Sequence, residues 1–506
     1  MSALSPLRLI GNPEENFYVL GKKHQEEYKN FRLKLFGVPN LSRQLNFLTK
    51  KVRKTEPLTL PANFWGAWLK AYCEGLEESP TEYLEFLHKL EASSLLCGSN
   101  SAFIWDKDLQ TTHFLRTIDW PLHLGSEQEL IYLQVPNHHS LVFQTIKGLP
   151  FLPLTMMNSK GLCLGIHRKF ARISEPQGLE IGQLSIETLM QSTDCQTARK
   201  YLKGKQTLQH WGLVLLDKNH EILALDMAGP QVDVIQTPMP LDQVICFNAA
   251  PLVKNKIISE SEPAFLSELC KRQRQWCITH LVHKKEHPLQ QLTRIPKNFS
   301  LSAINTHTLA SLQLTPTTHS LELVTGSFPA WNQGEIVSYS NIFEKHMREM
   351  SSQKSTLSQA QTNLWKAHHA YSLAQKAYDE ADLTAAFHHL QMGIAQADSQ
   401  LKALGQWVLA YWNWSHLKGV RLRLLQYREL LGLEKNMNST HLPHLKLLKL
   451  LYEMELSLAP TVTTEELGEK LKSVADRCLV GQSLERSEFI KKIQARLDFQ
   501  DILISD

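Results

Sequence analysis

A thiol followed by a returning arginine and aspartate is the arrangement in this chain most able to do covalent chemistry. Cys97 opens the run Cys97-Gly98-Ser99-Asn100-Ser101-Ala102-Phe103, and Leu115-Arg116-Thr117-Ile118-Asp119-Trp120 follows after a polar turn. The thiolate is the nucleophilic form of cysteine, so a guanidinium beside it raises the reactive population. Arg116 and Asp119 lie three positions apart and point to opposite faces of a regular strand, so a shared pocket requires a local twist or turn. On residue types alone, a small buried packing residue is the default reading of Cys97, and a structural ion pair is a common role for an arginine and aspartate placed like Arg116 and Asp119.

The elements that must position these residues are legible in the periodicity. Residues 14–52 carry apolar positions at helical spacing, and Trp65, Trp68, Leu69 and Tyr72 form an apolar stripe of a second helix. Ser79-Pro80-Thr81-Glu82 starts another, with Tyr83, Phe86, Leu87 and Leu90 on its buried face. From Cys97 the period shortens. Residues 102–105 and 112–118 flank Asp106-Lys107-Asp108, and residues 212–216 and 221–225 flank Asp217-Lys218-Asn219-His220, two expected hairpins. Further strands are expected near 130–134, 162–166, 232–235, 244–247 and 321–325, with helices near 185–202 and 263–283. Strands on both sides of helices predict a layered α+β body with stacked sheets.

Beyond about Ser340 the strand pattern gives way to residues rich in Ala, Leu, Gln, Lys and Glu, and Thr463-Thr464-Glu465-Glu466 caps a further helix. This predicts a body at 97–340 preceded by a helical lead-in at 1–96 and followed by an all-helical domain at 341–506. Leu373, Ala374, Ala377, Ala386, Leu390 and Gly393 resemble one tetratricopeptide unit, although plain helical bundling accounts for them as well.

Composition narrows the partners. The chain has 506 residues, 43% of them hydrophobic, enough for two or three domains with their own cores. A net charge of +4, from 54 basic and 50 acidic residues, lacks the dense basic field that phosphate backbones select, so nucleic acid is not expected as a partner. Eight cysteines without a CxxC pair suggest neither a disulfide scaffold nor a zinc ribbon, and a reducing, cytoplasmic location is expected. His138 with His139, and His388 with His389, lack partners at metal-ligand spacing. Trp407, Trp412 and Trp414 read as helix packing, and no run approaches the roughly 20 apolar residues of a membrane helix.

Several separated stretches resemble the penicillin acyltransferase-like branch of the cysteine N-terminal-nucleophile hydrolases, relatives of choloylglycine hydrolase and acid ceramidase. Ile10-Gly11-Asn12-Pro13-Glu14 with Gly21, and Ala71-Tyr72-Cys73-Glu74-Gly75-Leu76, look like that family's propeptide. Leu115 to Trp120 is similar to its Gly-Arg-Asn-Leu-Asp-Trp motif, and Met157-Asn158-Ser159-Lys160-Gly161-Leu162 to its Met-Asn-Glu-Lys-Gly-Leu segment. Val244-Ile245-Cys246-Phe247-Asn248 resembles the strand ending in Thr-Asn, and 321–329 its closing strand and turn. The likeness covers residues 1–340 and none of the helical tail.

The resemblance implies a four-layer αββα fold and a precursor that cuts its own chain before Cys97. The thiol of Cys97 would then attack an amide carbonyl while its own α-amine handles the proton, without metal or cofactor. Arg116 would sit beside the thiol, Asp119 would hold the new amino terminus, and Asn248 would offer its amide to the oxyanion. Asn158 and His167 are the implied substrate-binding positions, His167 standing where the family places an asparagine. The implied activity is hydrolysis or acyl transfer on a small linear or N-acyl amide through a thioester, with residues 341–506 open to a protein partner. Gly98, Leu115 and His167 depart from the family pattern. They favour the rival reading, an inactive relative that serves as a scaffold. A third reading, an uncut enzyme using a side-chain base, has no evident Cys-His pair behind it.

Overall fold

The computed structural model describes residues 6–37, 60–92, 99–120, 127–169, 178–208, 211–227, 232–236, 244–248, 252, 273–281, 287–293, 303, 308–324, 336–344, 348–353, 358–416 and 432. Cys97 and the helix expected at Thr463 lie outside them. The described residues form a mixed α+β protein with two sheets, in two compact units: one holds both sheets and the helices that flank them, the other the last three helices.

The lead-in is helical as its stripe predicts. It comprises α1 (Pro13–Lys23), α2 (Gln25–Gly37), α3 (Phe64–Leu76) and α4 (Pro80–Ala92), with β1 (Leu7–Leu9) ahead of them. Asn12 and Asn63 cap α1 and α3, accepting from the amides of Glu14 at 3.0 Å and Gly66 at 3.2 Å. Where α1 crosses α3, a Cβ on Gly21 would fall 2.1 Å from the Tyr72 carbonyl and one on Gly75 2.1 Å from the Tyr18 carbonyl. Only glycine allows the two backbones this close. Phe17, Trp65, Trp68, Tyr72, Tyr83 and Phe151 then pack into one aromatic core with the first sheet.

That sheet has eight strands in the order β1-β4-β5-β6-β7-β8-β9-β10, where β4 is Gln128–Leu133, β5 Leu141–Ile146, β6 Thr155–Asn158, β7 Cys163–Arg168, β8 Trp211–Leu216, β9 Ile222–Asp226 and β10 Val232–Gln236. The second has seven, in the order β11-β2-β3-β12-β13-β14-β15. Its members are β2 (Ser99–Asp106), β3 (Thr111–Asp119), β11 (Val244–Phe247), β12 (Thr308–Thr315), β13 (Ser320–Val324), β14 (Ile336–Ser340) and β15 (Arg348–Gln353). Phe103, Phe114, Met157, Val214, Leu312 and Leu314 belong to one buried cluster drawn from both sheets, so the sheets pack face to face.

The two expected hairpins are present, and the same device turns both. Asp106 accepts from the amides of Asp108 and Leu109, and Asp217 from those of Asn219 and Glu221. The helix expected over 185–202 is two, α5 (Ile181–Gln191) and α6 (Cys195–Leu202), because Asp194 and Thr197 form a capping box that starts a new helix. Of the helix expected at 263–283, residues 273–280 are helical and the rest lies outside the described residues, apart from Leu281. A short α7 (Pro288–Leu292) packs on β3 and β12. Strand structure runs past Ser340, since β15 pairs antiparallel with β14.

The second unit contains α8 (Gln359–Asp379), α9 (Leu383–Gln396) and α10 (Ser399–His416). Ala386, Leu390 and Gly393 are buried on α9, and Tyr371 crosses from α8 to donate to the Leu401 carbonyl at 2.8 Å. Trp407 and Trp412 are fully buried, as helix packing requires, with Trp412 stacked on Tyr378.

Candidate active site

The β2–β3 hairpin sets the site. Ser101 faces Arg116 across the pair, and Asn100 faces Thr117. Successive residues of a strand point to opposite faces, so Ser99, Ser101 and Arg116 project toward the first sheet. Arg116 is buried and spends all five of its N–H groups inside the protein. Nε donates to Thr155 Oγ1 at 3.3 Å. Nη1 donates to Ser101 Oγ at 2.8 Å and to His167 Nε2 at 2.9 Å. Nη2 donates to the carbonyls of Leu154 at 3.3 Å and Ile166 at 2.7 Å. Room for the head comes from Gly165 on β7, where a Cβ would lie 3.0 Å from both Cζ and Nε of Arg116. Burial pushes the guanidinium down to about 9 against the opposing pull of Asp119, which leaves it charged at neutral pH.

His167 on β7 takes its tautomer from this contact. Arginine has only donors, so Nε2 must accept and the ring proton sits on Nδ1. Nδ1 lies 3.1 Å from the Ser99 carbonyl and 2.9 Å from Ser99 Oγ, while Ser101 Oγ lies 2.9 Å from Nε2. Burial first, then the charges of Arg116 and Lys169, hold this imidazole well below its ordinary range, so it is neutral. Both ring nitrogens are engaged by the protein.

Asp119 ends β3 at an irregularity: Thr308 pairs with Asp119 and Ala310 with Ile118, so β12 bulges here. The buried carboxylate accepts from Thr308 Oγ1 at 2.7 Å, and its charge favours the charged form of Arg116.

Asn248 follows β11, whose pairing with β2 sets Phe247 opposite Ser101. Its Nδ2 donates to Asn100 Oδ1 at 3.4 Å, and Asn100 Nδ2 donates to Thr117 Oγ1 at 3.2 Å. The hairpin therefore gathers Arg116 and His167 on the face toward the first sheet and places the Asn248 amide at Asn100.

Asn158 is elsewhere in character. Its Oδ1 accepts from the amides of Lys160 at 3.0 Å and Leu162 at 2.9 Å, and its Nδ2 donates to the carbonyls of Leu189 and Ser192 at 2.8 Å each. Those bonds tie the β6–β7 turn to the end of α5, which is the turn-forming alternative that Asn before Ser-Lys-Gly allows.

Four participants escape sequence reasoning: Ser99, Ser101, Lys169 and Asp226. Lys169 Nζ lies 3.1 Å from Asp226 Oδ1 and donates to the Asn248 carbonyl at 2.9 Å, with both side chains buried. A lysine and an aspartate at the ends of two strands carry no linear motif. The available signal was the burial of both strands, which leaves a charge no solvent and so demands a partner. Among the described residues no group of three His, Cys, Asp or Glu side chains is placed to hold a metal, and no helix is long and apolar enough to cross a membrane.

No family model matches the chain, and no curated protein matches it. Solved structures similar to it include penicillin V acylase from Agrobacterium tumefaciens, with 11% identity, 51% of this chain and 99% of that one covered, and a TM-score of 0.31. A mutant of the conjugated bile acid hydrolase from Clostridium perfringens shows 10% identity over 51% of this chain and 99% of that one, with a TM-score of 0.32. The Caenorhabditis elegans ortholog of N-acylethanolamine-hydrolyzing acid amidase shows 10% identity over 43% and 93%, with a TM-score of 0.29.

Proposed function

We propose that this chain is a cysteine amidohydrolase or acyltransferase of the N-terminal-nucleophile type, built on an αββα body, with Cys97 as nucleophile. The observation that carries the reading is the β2–β3 hairpin. It begins two residues after Cys97 and returns a buried arginine, charged and bonded only to neutral groups, between two stacked sheets. A cation held there at the cost of desolvation needs a reason, and a developing thiolate supplies one.

The chemistry would run in two parts. The thiol first attacks the Leu96 carbonyl carbon and displaces the Cys97 nitrogen. Water then cleaves the resulting thioester, which releases the Leu96 carboxylate and leaves Cys97 with a free thiol and a free α-amine. That amine titrates at about 7.7 to 8.0 in ordinary surroundings and serves as the base. In turnover it takes the thiol proton, the sulfur adds to the substrate carbonyl, and the Asn248 amide stabilises the oxyanion. Collapse expels the amine, which takes the proton back, and water or a second amine releases the acyl group from sulfur. Asp119 would hold the α-ammonium. Arg116, with no N–H to spare, would act through its charge alone, and His167 would orient Arg116. Asn158 would be structural. The substrate class is a small linear or N-acyl amide, and a cytoplasmic location and a protein partner for residues 341–506 belong to the same proposal.

Mass spectrometry of the purified full chain tests this. Two fragments meeting at Leu96 and Cys97, with the second labelled by a thiol-directed acyl probe, are expected. An uncut chain that the probe leaves unmodified overturns the reading. It would favour the inactive relative acting as a scaffold, to which the complete internal pairing of Arg116 and His167 also lends weight.

A further inference from the structure

Lys169 and Asp226 do more than neutralise each other. Lys169 follows β7 and Asp226 ends β9, both in the first sheet, yet Lys169 reaches the backbone just after β11 of the second sheet, and Asp226 reaches it four residues further on. Lys169 Nζ donates to the Asn248 carbonyl at 2.9 Å, and Asp226 Oδ2 accepts from the Leu252 amide at 2.9 Å. The pair itself closes at 3.1 Å with its side chains 2% and 1% exposed. The lysine stem has a prepared path, since a Cβ on Gly212 would fall 2.4 Å from Lys169 Cε. A buried ion pair is a poor source of stability compared with an apolar pair of the same volume. What it supplies is two directed bonds to backbone groups on either side of one short segment.

We propose that Lys169 and Asp226 form a positioning clamp that fixes the end of β11 to the first sheet and thereby aims the Asn248 carboxamide at Asn100 and the start of β2. Both are positioning residues: Lys169 holds the Asn248 carbonyl and Asp226 holds Lys169 and the Leu252 amide. The catalytic consequence rests on the proposed function, because it takes Asn248 as the oxyanion donor.

The test uses full-length protein. Replacing one partner alone strands a buried charge, so the informative variant is Lys169→Met with Asp226→Leu, which removes both. Gly212→Ala is the second, since its methyl displaces the lysine stem and leaves both charges in place. Cys246, buried two residues before Asn248, reports on the clamp, and the fully buried Cys163 and Cys195 are controls. In both variants we expect alkylation of Cys246 to quicken roughly tenfold or more while the controls stay protected, as local opening of one strand end requires. On a chromogenic N-acyl anilide, kcat should fall roughly 10- to 100-fold with KM nearly unchanged, less than the 10²–10³ typical of deleting an oxyanion donor. In an Asn248→Ala background the clamp variants should cost nothing further, because they act through the same group.

Unchanged protection of Cys246 in either folded variant overturns the clamp. Losses that multiply on the Asn248→Ala background overturn its route through Asn248. A wild-type protein that cleaves no amide removes the proposed function instead, and the Cys246 measurement still decides the clamp.

Discussion

Arg116 donates to His167 Nε2 at 2.9 Å, and this single contact makes the imidazole an acceptor on that side and a donor toward Ser99 on the other. The pair links the second sheet to the first at the start of the hairpin that follows Cys97. An Nδ1 that carries the ring proton cannot take another from the Ser99 hydroxyl, so in this tautomer His167 is no base for Ser99.

Protonation of His167 should unlatch this contact. Its folded pKa lies well below that of an unfolded histidine, so between the two values the unfolded chain binds the extra proton and stability rises with pH. The contribution is fully present above the unfolded value of about 6.5 and declines as pH falls below it, by up to ~1.36 kcal/mol per pH unit. His88 and His368, also buried and depressed, add slopes of the same sign. Urea melts from pH 7.5 to 5 should therefore show falling stability, and His167→Gln should flatten that fall; an equal slope in the variant removes His167 as a contributor.

Gly165→Ala probes the space around the guanidinium. The added methyl would meet Arg116 at 3.0 Å and Phe114 Cζ at 2.9 Å, both held between the sheets. Overpacking of this kind costs roughly 1–3 kcal/mol, and chemical denaturation should show it. Labelling of Cys97 by an acyl probe should slow at the same time, because the displaced charge no longer favours the thiolate.

The sequence patterning located the hairpins, since each strand alternates or runs apolar between Asp-rich turns, and it located the lead-in helices through their aromatic stripes. It left out β1, β5, β6, β12, β14 and β15; of these Leu141–Ile146, Thr155–Asn158 and Thr308–Thr315 are buried on both faces and lack a distinguishing period. Arg116 was legible because its strand carries a motif. Its ligands Thr155, Leu154 and Ile166 come from the other sheet, and only the packing of two sheets brings them together. Lys169 and Asp226 were silent for the same reason, and His167 invited a ligand role because a linear motif shows where a ring stands but not what already holds it. Cys97 lies outside the described residues, so its role rests on sequence and on the hairpin that follows it.

Asn158→Ala separates a turn residue from a substrate contact. The substitution strands the amides of Lys160 and Leu162 and the carbonyls of Leu189 and Ser192. An unpaired buried group costs about 1–3 kcal/mol, so a total loss of roughly 2–5 kcal/mol is expected in a denaturant melt. The folded variant should keep the wild-type KM, measured at a temperature where it remains native. A raised KM at undiminished stability would restore a direct role in binding substrate.

Asn248→Ala should show the opposite pattern. The side chain donates to Asn100 Oδ1 at 3.4 Å, and the folded variant is compared with wild type at a temperature where both remain native. As oxyanion donor its loss should lower kcat by about 10²–10³ while KM barely moves, since the amide is asked to bind a charge that exists only in the tetrahedral species. Cleavage before Cys97 forms the same kind of oxyanion on the Leu96 carbonyl, so accumulation of uncut precursor, followed by intact mass over hours, should accompany the slower turnover if one amide serves both steps. Rapid maturation together with a crippled kcat would assign Asn248 to substrate turnover alone, and an unaltered kcat would take the oxyanion role away from it.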